Sequence, residues 1–292
     1  MGLLNRICVF TIRNDEDFAF FNVKVEKFIK FAIVFACATI AGVLGCIVFP
    51  FVGNEKSLIL DIAFPLDWRN SEIGFWMAYI FFVTGLVLTL PAMAFSVLIW
   101  YLLLHCSLRY NVLGSEISNM GRATGNVKLL EKERQAIFKR NIVALIDAHL
   151  HLRRSIDELE SFLSTLFLLQ LTTSGLCICG STYCLAFDVS DNTVERIVHV
   201  YTFFNGIAEL FMITYLGNEI LLSSSHLTYS LFESEWVGQP HSTMKCIIIF
   251  GEYLKLPHEM LIGKLYPLTL ETFTRILNSS YSLFNILKNT KQ

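Results

Sequence analysis

The chain has 292 residues, of which 54% are hydrophobic, 13% aromatic and only 16% charged, where an ordinary soluble domain carries about 25% charged residues. Its net charge of −2 offers no basic surface to a nucleic acid. Residues 73–104 and 161–187 contain no Asp, Glu, Lys or Arg, and each run exceeds the roughly 20 residues that cross a hydrocarbon core of about 30 Å. A water-soluble domain is thereby excluded. The expected fold is all-α, a polytopic transmembrane helix bundle with a cytoplasmic helical anchor region, because helices satisfy their own backbone in lipid.

In chain order, residues 1–10 hold a short apolar patch with no small-residue cleavage site after it, so the first true span is expected to act as the insertion signal. That span is read at 31–52, with Gly42, Gly45 and several alanines giving it a small surface for close helix approach. The second is read at 73–104, with Trp76, Tyr79, Trp100 and Tyr101 near its ends and a kink expected at Pro91. The third is read at 162–187 and the fourth at 197–215, joined by a short acidic turn. A fifth, at 265–287, carries Glu271 and Arg275 four apart, a spacing that allows them to pair.

Lys and Arg crowd the segment before the first span and the segment 105–160, while the intervening connections hold few. The positive-inside rule therefore predicts a cytoplasmic N-terminus and cytoplasmic helical segments at 105–160 and 221–257, all within a single membrane domain, 1–292. From 130 to 160 the apolar residues Ile137, Ile142, Leu145, Ile146 and Leu150 recur at helical spacing, which predicts an amphipathic extension of the third span. Residues 119–126 are its expected hinge.

Five of the eight cysteines (Cys37, Cys46, Cys177, Cys179 and Cys184) lie in or beside apolar runs, where Cys packs as a small hydrophobe. No metal site and no cofactor is expected. His149 and His151 diverge on a helix, so with Asp147 they are read as a solvated or intersubunit face. Glu209 is costly inside a span unless it finds a partner or water, and hydration near the span's cytoplasmic end is the reading preferred here. The sequon at Asn278 falls inside the fifth span, where it would go unused. Among intramembrane acids Glu209 stands nearly alone, with no His or Ser at a productive spacing, so no catalytic residue and no enzyme activity is expected.

Several segments carry a resemblance in the correct order. They are Phe64-Pro65-Leu66-Asp67-Trp68, Cys106-Ser107-Leu108-Arg109-Tyr110, the helix entry Ile156-Asp157-Glu158-Leu159-Glu160, Gly217-Asn218-Glu219-Ile220 with Glu233-Ser234-Glu235-Trp236, and Lys264-Leu265-Tyr266-Pro267 leading into Ser280-Tyr281-Ser282-Leu283-Phe284. Together they resemble the insect odorant receptor family, and the likeness covers nearly the whole chain. Members have seven spans, and the first two have no counterpart here.

The resemblance implies a subunit of an odorant-gated cation channel that assembles as a hetero-tetramer with a shared odorant co-receptor in the plasma membrane of a sensory neuron dendrite. It implies a volatile, mostly apolar ligand held in the outer halves of the spans, with Cys46, Met77, Phe81, Thr84, Tyr201, Thr202 and Asn205 as odorant-binding candidates. It implies a pore lined by the last span, where Ile286, Asn289 and Thr290 share one helix face. It also implies that Glu233, Glu235 and Trp236 cap or anchor the cytoplasmic assembly. The competing expectations are a truncated, non-conducting fragment, a gustatory receptor (disfavoured because Ser280-Tyr281 lacks a following Gln-Phe pair), and a small-solute transporter (disfavoured because no internal repeat is visible).

Overall fold

The computed structural model describes residues 12, 14–51, 58, 65, 71–122, 131–187 and 193–291. The motif at 64–68 apart from Pro65, hinge residues 123–126 and the acidic turn at 188–192 lie outside the described residues. Six helices and one short hairpin make up the described chain. They are α1 (Asp15–Val48), α2 (Glu72–Ser118), α3 (Glu131–Ala186), α4 (Thr193–Glu233), α5 (His241–Leu254), β1 (Leu261–Ile262) paired antiparallel with β2 (Tyr266–Pro267), and α6 (Leu270–Lys291). Among the described residues, α1 to α4 are long and apolar enough to cross a membrane.

The helices outrun the apolar segments because nothing in the flanking sequence stops them. Helix α1 starts at Asp15, where the Asn14 side chain accepts the Glu16 N–H at 3.3 Å and three acids face the positive end of the helix dipole. It ends before Pro50, which sits in a short 3-10 turn. Ser71 caps α2 by accepting the Gly74 N–H at 3.3 Å. That helix then runs through Pro91 without interruption and on to Ser118. The anticipated extension of the third apolar segment is present, since α3 is one helix of 56 residues. Helix α6 starts at Leu270, later than the reading at 265, because Tyr266 and Pro267 are taken up by the hairpin.

Hydroxyl side chains sit in these apolar helices at low cost because they turn back onto their own backbone. Thr39 donates to the Phe35 carbonyl at 2.9 Å, Thr182 to Ile178 at 2.7 Å and Thr214 to Leu210 at 2.7 Å. Each hydroxyl is thus satisfied without water.

The chain forms two compact units. The first comprises residues 1–25, 100–172 and 210–275. Its core is dense, with Trp100, Leu103, Leu108, Tyr110, Ile117, Phe167, Leu210 and Ile213 fully buried. The buried stripe of α3 is Phe138, Ile142, Leu145, His149, Leu152, Ile156 and Leu159. Its alternating spacing of four and three is the period of helices packed in a bundle.

That register corrects the sequence reading at two residues. Leu150 faces outward, and His149, read as solvated, is buried with 3% exposure. The His149 ring lies edge-on to Phe250 and Tyr253, with centroids 5.6 and 5.7 Å away, so the aromatic walls accept an uncharged imidazole as they would a phenyl ring. Asp147 and His151 do face outward.

Within the same unit the hairpin is seated by three contacts. Gly263, at φ 56°, donates its N–H to the Ser164 carbonyl at 2.9 Å. The Leu268 N–H donates to Met260 at 2.7 Å. A β-carbon at Gly217 of α4 would collide with the Leu268 carbonyl and side chain. The segment Glu233–Trp236, expected to anchor an assembly, meets the end of α2 in its own chain, where the Glu235 N–H reaches the Met120 carbonyl at 3.2 Å.

The second unit comprises residues 26–99, 173–209 and 276–292. Its interior is thinner, with Phe75, Ala78 and Leu58 packed beside Tyr79, and its outer surface carries Ile33, Val34, Ile73, Ile80, Leu88, Leu176 and Ile197. In water such a surface would aggregate. Against acyl chains it carries no penalty, and the unit is a membrane helix bundle.

Two outcomes are expected. Gly217→Ala should destabilise the detergent-solubilised protein by about 1–3 kcal/mol, the range for overpacking, with a correspondingly lower midpoint in thermal unfolding. Burial holds the His149 pKa at about 4, below its ordinary 6.5, with the positive Arg153 and His258 adding to the effect. The folded state therefore favours the neutral ring, so this stabilisation is complete above pH 6.5 and lost as pH falls from there towards 4. His149→Phe should keep its stability at pH 7 and lose less of it between pH 6.5 and 4 than the parent, as read from melting curves across that range.

Candidate functional site

The sequence-predicted ligand residues all fall in the second unit, and the structure sorts them onto two surfaces. On α2, Phe75, Ala78 and Tyr79 turn inward, and the Tyr79 hydroxyl donates to the Ile47 carbonyl of α1 at 3.0 Å. Met77, Phe81 and Thr84 lie on the opposite side, at i, i+4 and i+7. All three are exposed, Phe81 at 66%, and the Thr84 hydroxyl is satisfied by the Ile80 carbonyl at 2.7 Å.

The second surface is formed by α1 and α4. Gly42 brings the helices together, since a β-carbon there would lie 3.4 Å from the Tyr201 ring. Cys46 is one turn along α1 from Gly42, and Asn205 is one turn along α4 from Tyr201; both are half-buried. The Thr202 hydroxyl is spent on the Val198 carbonyl at 2.9 Å. The Tyr201 hydroxyl is buried with no hydrogen-bond partner among the described residues. A buried phenol usually finds one, so this is the group best placed to serve a ligand.

Glu209 is the polar centre of the unit. Ser96 of α2 donates to one of its carboxylate oxygens at 2.8 Å and Ser174 of α3 to the other at 3.3 Å. Both serines are buried. To the hydration at a span end preferred from the sequence, the structure adds an interhelical pair of hydroxyl donors. Those donors lie 113 and 35 positions away in the chain, so no local motif could have revealed them. One helix turn away on α4, Gly206 packs on Ile178 of α3.

At the end of the chain, Ser280 of α6 donates to the Gly175 carbonyl of α3 at 3.3 Å. Ile286 is 60% exposed and Asn289 is also exposed. The Thr290 side chain lies outside the described residues. In the first unit, Glu271 and Arg275 form the anticipated ion pair on an exposed face. That unit also carries a half-open pocket of about 300 Å³ whose lining mixes Asp17, Asn111 and Glu233 with Phe20, Tyr110 and Val112. Ser115 donates to Asp17 at 2.9 Å.

An all-α membrane bundle with this element order is the fold of the insect olfactory receptors. The solved insect olfactory receptor OR5 from Machilis hrabei, in complex with eugenol, superposes on 99% of this chain with a TM-score of 0.81, at 16% identity and over 74% of that receptor. The family model of the 7tm odorant receptors matches residues 2–281, and the chain belongs to that family. Among relatives, odorant receptor 94a of Drosophila melanogaster is 28% identical over 227 residues, 77% of this chain and 56% of the relative. Odorant receptor 23a of the same species is 28% identical over 264 residues, 89% of this chain and 64% of the relative. The chain thus spans less than two thirds of the length of these two relatives.

The serine pair has a measurable weight. Ser96→Ala should lower the stability of the purified protein by about 1–3 kcal/mol, the worth of a hydrogen bond to a charged group. Thermal unfolding of this variant beside Ser174→Ala measures it, and the longer Ser174 bond should cost less.

Proposed function

We propose that the chain is an odorant receptor subunit, a component of a ligand-gated cation channel that senses a volatile, mostly apolar molecule together with a shared co-receptor. The observation that carries this reading is the family match, which runs through both units from residue 2 to 281. The chain works as one membrane domain, with spans at 31–52, 73–104, 162–187 and 197–215 and a last one that begins at Leu270. Its N-terminus is cytoplasmic, as the Lys and Arg bias supports, and it resides in the plasma membrane of a sensory neuron dendrite within a hetero-tetramer.

The ligand meets Tyr201, Thr202 and Asn205 of α4 and Cys46 of α1, with Met77, Phe81 and Thr84 of α2 as a second apolar surface. A buried hydroxyl without a protein partner, in a largely apolar wall with a few polar groups, is the usual make-up of a small-molecule site. Cations pass a constriction at Ile286, with Asn289 and Thr290 replacing part of their hydration shell.

The test is odorant-evoked current from this chain co-expressed with an insect co-receptor, against co-receptor alone. A response absent from the control supports the reading. Silence with surface delivery confirmed favours the alternative, a non-conducting fragment. Given a response, Tyr201→Phe should weaken ligands with a hydrogen-bonding oxygen by about tenfold, roughly one hydrogen bond. Hydrocarbons should be unaffected, as read from paired dose-response curves.

A further inference from the structure

Outside the predicted spans, in the first unit, two carboxylates and an imidazole converge. Asp157 and Glu160 lie three apart on one face of α3. His258 reaches them from the connection between α5 and β1, and their ligand atoms all lie within 4.8 Å of one another. One pair, His258 Nε2 and Asp157 Oδ1, is 3.3 Å apart. That is also about the separation of two donors on one metal ion at roughly 2.0–2.1 Å each in a tetrahedral shell.

The imidazole is held on every other side. It is 4% exposed, its Nδ1 shares a 2.9 Å hydrogen bond with the Tyr110 hydroxyl, and its backbone N–H donates to Ser224 Oγ at 2.9 Å. Glu160 in turn accepts the backbone N–H of Leu261. A ring whose inner nitrogen is tied to a buried hydroxyl, and whose outer nitrogen faces two carboxylates, has the supporting shell of a metal ligand. Asp157 is the exposed member and leaves an approach from solvent. Arg153 opposes a cation, but its guanidinium is engaged with the Leu256 carbonyl at 3.1 Å and lies over the Tyr253 ring.

We propose that Asp157, Glu160 and His258 bind a divalent transition-metal ion of the zinc class, fastening α3 to the segment that leads into the hairpin. One imidazole with two carboxylates suits zinc, cobalt or nickel better than calcium or magnesium, which prefer all-oxygen sets. The site is independent of the odorant reading, since binding can be measured without any channel current.

The experiment is titration of the purified full chain in detergent with Co²⁺, followed by its visible absorption, then displacement by Zn²⁺ and melting curves with each ion. One equivalent should bind with a tetrahedral-type Co²⁺ spectrum, and Zn²⁺ should raise the melting temperature in a way that a chelator reverses. Asp157→Asn and Glu160→Gln, changed on the accessible side, should fold normally and each bind at least about tenfold more weakly, with Tyr110→Phe about 10–100-fold weaker as a supporting group. Absence of saturable binding in the parent would overturn the proposal and leave an ordinary His–Asp hydrogen bond. So would binding that Asp157→Asn and Glu160→Gln leave unchanged, or an equal response to Ca²⁺ or Mg²⁺.

Discussion

In a hydrocarbon medium a backbone amide has no water to turn to, so each N–H and C=O must be satisfied within the chain. Long helices meet this demand for the main chain, and the serines and threonines meet it for themselves by donating to carbonyls one turn back. Thr39, Thr182 and Thr214 do so on three different helices. Once that local accounting is closed, a polar side chain is free to serve another helix only where a stronger acceptor is offered. Glu209 is such an acceptor. It draws the Ser96 hydroxyl, which also lies 3.2 Å from the Ala92 carbonyl, and so converts a self-satisfied helix residue into an interhelical tie.

The two units bury their apolar residues to different degrees. The first buries a conventional core around Trp100, Tyr110, Phe167 and the heptad-spaced stripe of α3, and there polar groups are satisfied by side chains from distant parts of the chain, as with Tyr110, His258 and Asp157. The second keeps little interior and leaves large apolar residues on its surface, where lipid removes the cost. In a thin interior of that kind small residues decide where helices touch. Gly42 against Tyr201, Gly175 against Ile276 and Gly206 against Ile178 are its close approaches.

Much of this was legible in the chain. Runs with little or no charge marked the four apolar helices, and the spacing of Ile142 and Leu145 marked the helix running into the third. What was not legible has identifiable causes. Helix ends lay beyond the apolar runs because capping by Asn14 and Ser71, not hydropathy, sets them. His149 was assigned to the wrong face because a histidine counts as polar in a pattern, while between Phe250 and Tyr253 it behaves as an aromatic ring. The partners of Glu209 and His258 were out of reach, being brought together only by the packing of helices far apart in sequence. The ligand candidates divided, with those on α4 half-buried and those on α2 outward, because periodicity names a face without saying which neighbour covers it.

The contact between Gly217 and Leu268 has a consequence for inheritance. Every missense change of a glycine codon introduces a β-carbon, and at this position a β-carbon meets the Leu268 carbonyl oxygen, which cannot swing aside, as well as the Leu268 side chain. No conservative neighbour exists in the genetic code, so drift at this position can proceed only together with a change in the hairpin that faces it. In populations carrying variants of this gene, position 217 should be among the most monomorphic of α4.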